Sequence, residues 1–202
     1  MNVKMKKIYL LLLLGIVVVT SSSFLMKPVM KAAPRMHEEV PASIADTFPV
    51  PSASVKRLYY LQRTHNTNTI VYALNYNADS TINEKDPIHV YWIRYADKGE
   101  TKELSYIQKN YAYGVNCVSM DKDKQMYKVT YVSYKKRDIY LVRSKTGHAY
   151  NACLNINNKM AYLNRIFLKI DGGSFWLPHI TYVEVTGKDI ASGKPVSERI
   201  IP

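Results

Sequence analysis

The 202-residue chain lacks the strings that mark common chemistry: it has no G-x-S-x-G, Walker loop, H-E-x-x-H, C-x-x-C or dinucleotide fingerprint. Cysteine is scarce. Cys117 and Cys153 are the only two, too few for a zinc cage. The five histidines, His37, His65, His89, His148 and His179, include no pair at ligand spacing, and His37-Glu38-Glu39 lacks the second histidine of a zinc helix. No metal and no other cofactor is therefore expected. Two near-matches carry no chemistry. Gly172-Gly173-Ser174 lacks the glycine that should follow the serine and reads as a turn. Ser133-Tyr134-Lys135-Lys136 fits S-x-x-K by letter, but that dyad needs a helix and here runs from a strand into a basic turn. The chain also shows no internal repeat and no low-complexity tract.

A long apolar run is lacking too. Ile8 to Val19 spans 12 residues, against about 20 for a membrane-crossing helix. It follows Lys4, Lys6 and Lys7 and precedes Thr20-Ser21-Ser22-Ser23, the order of a basic region, an apolar region and a small-residue cleavage site. Residues 1–23 are read as a signal peptide, or alternatively as an N-terminal membrane anchor running on through Phe24, Leu25 and Met26. No cysteine lies nearby, which excludes a lipoprotein anchor. Both readings place residues 27–202 outside the cytoplasm, in the periplasm or cell envelope. Residues 24–55 contain no glycine but five of the nine prolines, so they form an extended Pro-rich linker. Phe48-Pro49-Val50-Pro51 at its end is placed to pack onto the domain that follows.

What remains, residues 56–202, has the composition of one globular domain; over the whole chain 47% of residues are hydrophobic and 22% charged. Of 17 tyrosines, 16 fall between Tyr59 and Tyr182. A greasy ring with a wet hydroxyl suits a half-buried pleated surface, which favours an all-β domain. The formal charge is +12, and setting aside the three N-terminal lysines leaves +9. Met120 to Lys169 holds 11 bases and 3 acids. Such a surface is either a solvated face or an attractor of anionic partners. The bases follow no nucleic-acid-binding motif and the compartment is wrong for one, so nucleic acid is not expected.

Aromatic and β-branched runs recur every 8–15 residues, at 57–63, 69–76, 88–95, 112–120, 125–134, 138–144, 149–156, 160–170, 179–186 and 195–200. Turn residues separate them, and Leu104, Ile107 and Tyr111 predict one short helix over 102–110. No long helical crossover joins two strands, so the sheet is expected to be antiparallel, either a β-barrel or a two-sheet β-sandwich. Ile166, Leu168 and Ile170 share one face with Arg165 and Lys169 on the other, the pattern of a strand with one wet side.

The strings L-Y-Y-L-Q-R-T-H-N-T-N-T-I-V-Y (58–72), D-P-I-H-V-Y-W-I-R-Y (86–95) and A-Y-G (112–114) resemble domain-of-unknown-function family 4833, an uncharacterised bacterial family, from about residue 48 to the C-terminus. The resemblance implies an exported bacterial protein. It brings no activity, ligand or catalytic residue, so the functional reading rests on the residues.

Arg63, Asn66, Asn68, Asn75, Trp92, Arg94 and Tyr95 are the sharpest ligand-binding set. Guanidinium forks match carboxylate or phosphate and stack on rings, while asparagine and tryptophan can hold a sugar. The same asparagines also suit turns, and Arg94 could simply end a strand on Tyr91 or Trp92. His65, His89 and Asp86 make an acid/base or metal site only if the sheet gathers them. Cys117 and Cys153 are either a disulfide or two free thiols. The chain is read as a non-catalytic envelope domain binding an anionic or glycan ligand, with anionic lipid, glycan or envelope protein as partner. The alternatives are an envelope scaffold using its tyrosine-rich faces and a hydrolase of cell-wall or lipid substrates.

Overall fold

A computed structural model describes residues 48–54, 56–121, 123, 125–144, 149–174 and 177–202. The signal or anchor segment, residues 24–47 of the linker, His37 and His148 lie outside the described residues. Eleven strands form among those described: β1 (Arg57–Arg63), β2 (Asn66–Leu74), β3 (Ile88–Arg94), β4 (Glu100–Glu103), β5 (Val115–Asp121), β6 (Met126–Tyr131), β7 (Ile139–Arg143), β8 (Tyr150–Ile156), β9 (Lys159–Gly173), β10 (Pro178–Asp189) and β11 (Pro195–Ile200). The all-β expectation is met, in a single curled sheet of order β4-β3-β2-β1-β9-β8-β7-β6-β5 with β10 and β11 branching from β9.

The spine is β9, 15 residues long. Its first residues pair with β8 from Ile156↔Lys159 to Cys153↔Tyr162, and Arg165 to Leu168 pair with β1. Throughout this stretch β10 runs along the other edge. Two arms, β1-β2-β3-β4 and β8-β7-β6-β5, thus spring end to end from one long strand. Between them β9 carries an extra residue. Arg165 faces Thr186 but Leu163 faces Gly187, leaving Asn164 as a bulge. Parity flips there: Ala161 and Leu163 face the core before it, Ile166 and Leu168 after it. A Cβ at Gly187 would lie 2.4 Å from the Tyr162 carbonyl oxygen, so the strand opposite the bulge accommodates no side chain.

The purely antiparallel expectation is corrected, because β1 and β9 run parallel from Tyr60↔Arg165 to Arg63↔Leu168. Parallel pairing needs a long crossover, but not a helical one. Here the crossover is everything from Thr64 to Asn164, including seven strands. The helix expected over 102–110 is also displaced. Glu100–Glu103 instead pairs with the open edge of β3 as β4. The helical residues begin at Tyr106, after Ser105, whose hydroxyl accepts from the Gln108 N–H at 3.3 Å, and tighten into a π-helical turn, Gln108–Tyr113. Pairing with a neighbouring strand outweighs local helical spacing.

The curl buries an inner face. Tyr59 and Tyr72, on β1 and β2, stack at 4.5 Å, and Tyr131 of β6 meets Tyr72 edge-on at 5.5 Å. All three rings are buried, and such ring pairs contribute about 0.5–1.5 kcal/mol each beyond area burial. Their hydroxyls are partly satisfied inside: Tyr131 O–H donates to the Tyr59 oxygen at 3.2 Å and Tyr72 O–H to the Tyr113 carbonyl at 2.9 Å. Burial pushes all three hydroxyls well above the usual tyrosine range, so they stay protonated.

The outer face of β9 is not wet, contrary to the alternation. Phe167 is fully buried there and meets Phe48 edge-on at 5.4 Å. Gln62 of β1 donates to the Pro49 carbonyl at 2.7 Å, and Arg57 donates to the carbonyls of Pro51 and Ser52. The chain just before β1 thus straps the outer side.

Cys117 and Cys153 are free thiols, which decides between the two expected states. Cys117 packs against the inner core, whereas Ala152 and Leu154 face that core and so turn Cys153 outward. The strands also stand three apart in the sheet, roughly 14 Å where a disulfide needs Cα atoms within about 7 Å. Burial pushes the Cys117 thiol up to about 12, with Asp86 adding to it, and burial pushes Cys153 up to about 11. Native protein at pH 8 is therefore expected to react with a thiol reagent orders of magnitude more slowly than a free thiol, and unfolded, unreduced protein to titrate both cysteines; fast labelling of either in the native state contradicts this burial.

Candidate functional site

The predicted set divides over the fold. Arg63 stands on the inner face beyond Leu61, its guanidinium carbon 5.9 Å from the Trp92 ring and 5.8 Å from the Tyr113 ring. Trp92 and Tyr113 meet edge-on at 5.5 Å, and the indole N–H donates to Gln108 Oε1 at 3.2 Å. Arg94 shares the Trp92 side of β3 by alternation, but it is half-exposed and paired with Asp97 at 2.5 Å. Tyr95 belongs to the opposite face, beside Tyr91 and Ile93. There it lines a groove of about 300 Å³ with Arg57 and Val71. The asparagines build turns: Asn66 Oδ1 accepts from the Asn68 N–H at 2.8 Å, Asn68 Oδ1 from the Ala96 N–H at 3.2 Å, and Asn75 donates to the Asp86 carbonyl at 2.9 Å. Of the set, the structure brings together Arg63 and Trp92.

The acid/base constellation is not assembled. His65 is exposed at the β1–β2 hairpin with φ of 60°. His89 pairs with Ala73, seven residues along β2 from Asn66, which is roughly 20 Å at strand spacing. Its carboxylate neighbour is Glu103 at 2.8 Å, not Asp86, which faces Lys109 at 3.8 Å. Among the described residues no group of three or more His, Cys, Asp or Glu is placed to hold a metal. The Ser133 hydroxyl is committed to the Ala112 carbonyl, to which it donates at 2.6 Å.

A larger cavity lies at the far end of β2 from Arg63. It is an open groove of about 730 Å³, a size usual for small-ligand sites. One wall is the loop from Asn75 to Asp86. The other comes from the ends of β6, β7 and β8: Gln125, Arg143 and Tyr150. Arg143 has the parity of Ile139 and Leu141, and Tyr150 that of Ala152 and Leu154, so the inner faces of these strands lead directly to the groove.

The loop braces itself. The Asn77 N–H donates to the Thr81 carbonyl at 2.8 Å, and the Asn83 N–H to that of Asn75 at 2.8 Å. Asp79 accepts from the Thr81 N–H and hydroxyl at 2.9 and 2.6 Å, and these bonds hold its carboxyl below the usual range. Asn83 Oδ1 caps Lys85 N–H at 3.1 Å. Tyr76 bridges to Ile82 and carries the Lys56 ammonium 5.5 Å from its ring. Across the groove Tyr150 donates to Gln125 Oε1 at 2.6 Å. Burial, and then the neighbouring Tyr127, raise the Tyr150 hydroxyl despite Arg143, so it remains a donor.

The groove therefore offers two tyrosines, the carboxylate of Glu84, the amide of Gln125 and the guanidinium of Arg143, with no histidine or cysteine among its lining residues. That assembly can stack against a ring and form hydrogen bonds; it holds no second carboxylate to act as an acid/base pair. Tyr76, Glu84, Gln125, Arg143 and Tyr150 were not singled out from sequence. The available signal was the length and Asn/Asp/Ser/Thr content of the β2–β3 loop, since loops of about 12 residues or more in compact domains are usually functional.

A family model described as "Domain of unknown function (DUF4833)" matches residues 59–199. Comparison with the curated proteins and with the solved structures gave no match.

Proposed function

The chain belongs to that family of unknown function, and from its geometry we propose an exported, non-catalytic domain of the cell envelope that binds a glycan or an anionic ligand in the groove between Tyr76 and Tyr150. The observation that carries this reading is the pairing of two tyrosines with a self-braced polar loop in one open groove. A tyrosine ring presents a flat apolar face to the C–H face of a sugar, and the planar amide, carboxylate and guanidinium match its hydroxyls or a charged substituent. A loop already held by its own hydrogen bonds loses little freedom on binding. Export is supported by the pattern of residues 1–23, whether removed as a signal or kept as an anchor.

The test uses the full-length chain purified in detergent, titrated calorimetrically against a panel of neutral and acidic envelope glycans. Tyr150→Ala and Tyr76→Ala are each expected to weaken the best ligand about tenfold or more, as loss of a stacking ring does, and to lower the melting temperature as well because both rings pack against the inner core. Tyr150→Phe and Tyr76→Phe, which keep the rings, are expected to retain both the fold and most of the affinity. Unaltered affinity in both alanine variants, or no ligand in the panel, overturns the groove as the site.

A second reading, an envelope scaffold, is favoured by one observation. Tyr106, Ile107 and Tyr111 of the helical turn are 75%, 45% and 60% exposed, an aromatic cluster suited to protein contact.

A further inference from the structure

The domain pairs its arginines with care. Arg94, Arg137, Arg165 and Arg199 each meet a carboxylate, and Arg57 donates to backbone carbonyls. Arg63 is different. Among the described residues its guanidinium meets no carboxylate; its buried Nε also has no acceptor, a feature it shares with the buried Nη1 of Arg137. A buried N–H without a partner is costly, and native structures rarely keep one without a reason. We propose that Arg63 anchors an oxyanion site at the hairpin end of the inner face, taking the carboxylate or phosphate group of a small ligand. This site is separate from the groove and does not depend on it.

The surroundings suit that role. The guanidinium carbon lies over the Trp92 and Tyr113 rings, contacts that hold it in place without using its N–H bonds. The platform is itself locked. The Trp92 N–H is committed to Gln108, the Tyr113 carbonyl accepts from the buried Tyr72 hydroxyl, and Gln108 Oε1 also accepts from the Ser105 N–H at 3.0 Å. The nearby Thr64 hydroxyl is engaged with the Ile170 carbonyl and so does not compete. Arg63 as a whole is half-buried, so the outer end of its fork is open to a ligand. The two Nη groups, not the enclosed Nε, present the pair of N–H bonds that a carboxylate or phosphate accepts end-on.

The experiment reads the indole N–H resonance of Trp92 in the full-length, ¹⁵N-labelled chain in detergent, assigned with Trp176→Phe. Inorganic phosphate and acetate are titrated separately against chloride at matched ionic strength. A saturable shift with phosphate alone assigns a phosphate ligand, and one with acetate alone a carboxylate; either supports the site. In both cases Arg63→Gln is expected to weaken binding about tenfold or more, and Arg63→Lys, which keeps the charge but not the fork, to bind less tightly than the natural chain. No saturable shift, a shift that chloride reproduces, or equal binding by Arg63→Gln overturns the proposal. Because Arg63→Gln could disturb the fold, Arg63→Lys with an unchanged melting temperature is the second arm: full affinity there also overturns the fork.

Discussion

Gly114→Ala is expected to destabilise the domain by about 3–5 kcal/mol, the sum of an overpacked backbone contact and lost buried hydrogen bonds. At the usual scaling for a domain of this size, that lowers the melting temperature by about 10 °C. The reason is not backbone conformation. Gly114 has φ of −65° and ψ of 162°, open to any residue. The obstacle is space: a Cβ there would lie 1.9 Å from the Lys109 carbonyl oxygen across the π-helical turn. The turn must open to admit it, and much is fastened to the turn. Tyr113 supplies the carbonyl for Tyr72 and a ring for Trp92 and Arg63. The Gly114 carbonyl accepts from the Val132 N–H at 3.0 Å, and that of Ala112 from Ser133. The control is Gly99→Ala. Nothing lies within 4 Å of a Cβ there, and its φ of 81° alone adds strain, about 1 kcal/mol. Thermal melts of both variants decide it. Equal losses, or a harmless Gly114→Ala, would show that the turn yields without consequence.

Glu184→Ala is expected to cost about 3–5 kcal/mol, the range for breaking a buried ion pair from one side. Glu184 sits on the outer face of β10, with Arg165 at 3.4 Å and Arg199 at 2.9 Å. Glu184 and Arg165 are both buried, at 9% and 8% exposure. Removing the carboxylate leaves two guanidiniums on one patch, one of them shielded from water. Arg199 lies at the surface against the Tyr182 ring, 4.2 Å away. Arg199→Ala should therefore cost under about 1 kcal/mol, as exposed pairs do. Urea unfolding of the two single variants and the double variant measures this; a Glu184→Ala loss no larger than that of Arg199→Ala would place the ion pair at the surface in energetic terms.

Ten strands were legible because their signal is local. Alternating aromatic and β-branched residues bounded by turn formers mark a strand wherever it goes in the sheet. The missed one, Glu100–Glu103, is all polar and fully exposed, and becomes a strand only because β3 offers an edge. The ligand-binding set was legible as residue types but not as a place. Arg63 and Trp92 meet across two strands, whereas Tyr95, next in sequence to Arg94, lies on the other face. Asn66, Asn68 and Asn75 did the turn work that their chemistry also allowed.

From sequence alone came the class of fold, the strand boundaries within a few residues and the family, all readable from runs of neighbouring residues. Tertiary structure alone decided the rest. The parallel pairing of β1 with β9 joins segments about a hundred residues apart, and no local pattern encodes such a register. The bulge at Asn164 reverses which side chains face inward between the two halves of β9, and the segment at Phe48 makes the side expected to be wet a second packed surface. The groove between Tyr76 and Tyr150 exists because the β2–β3 loop and the far ends of β6 to β8 meet at one end of the curl. A site made by convergence of distant segments has no signature within any one of them.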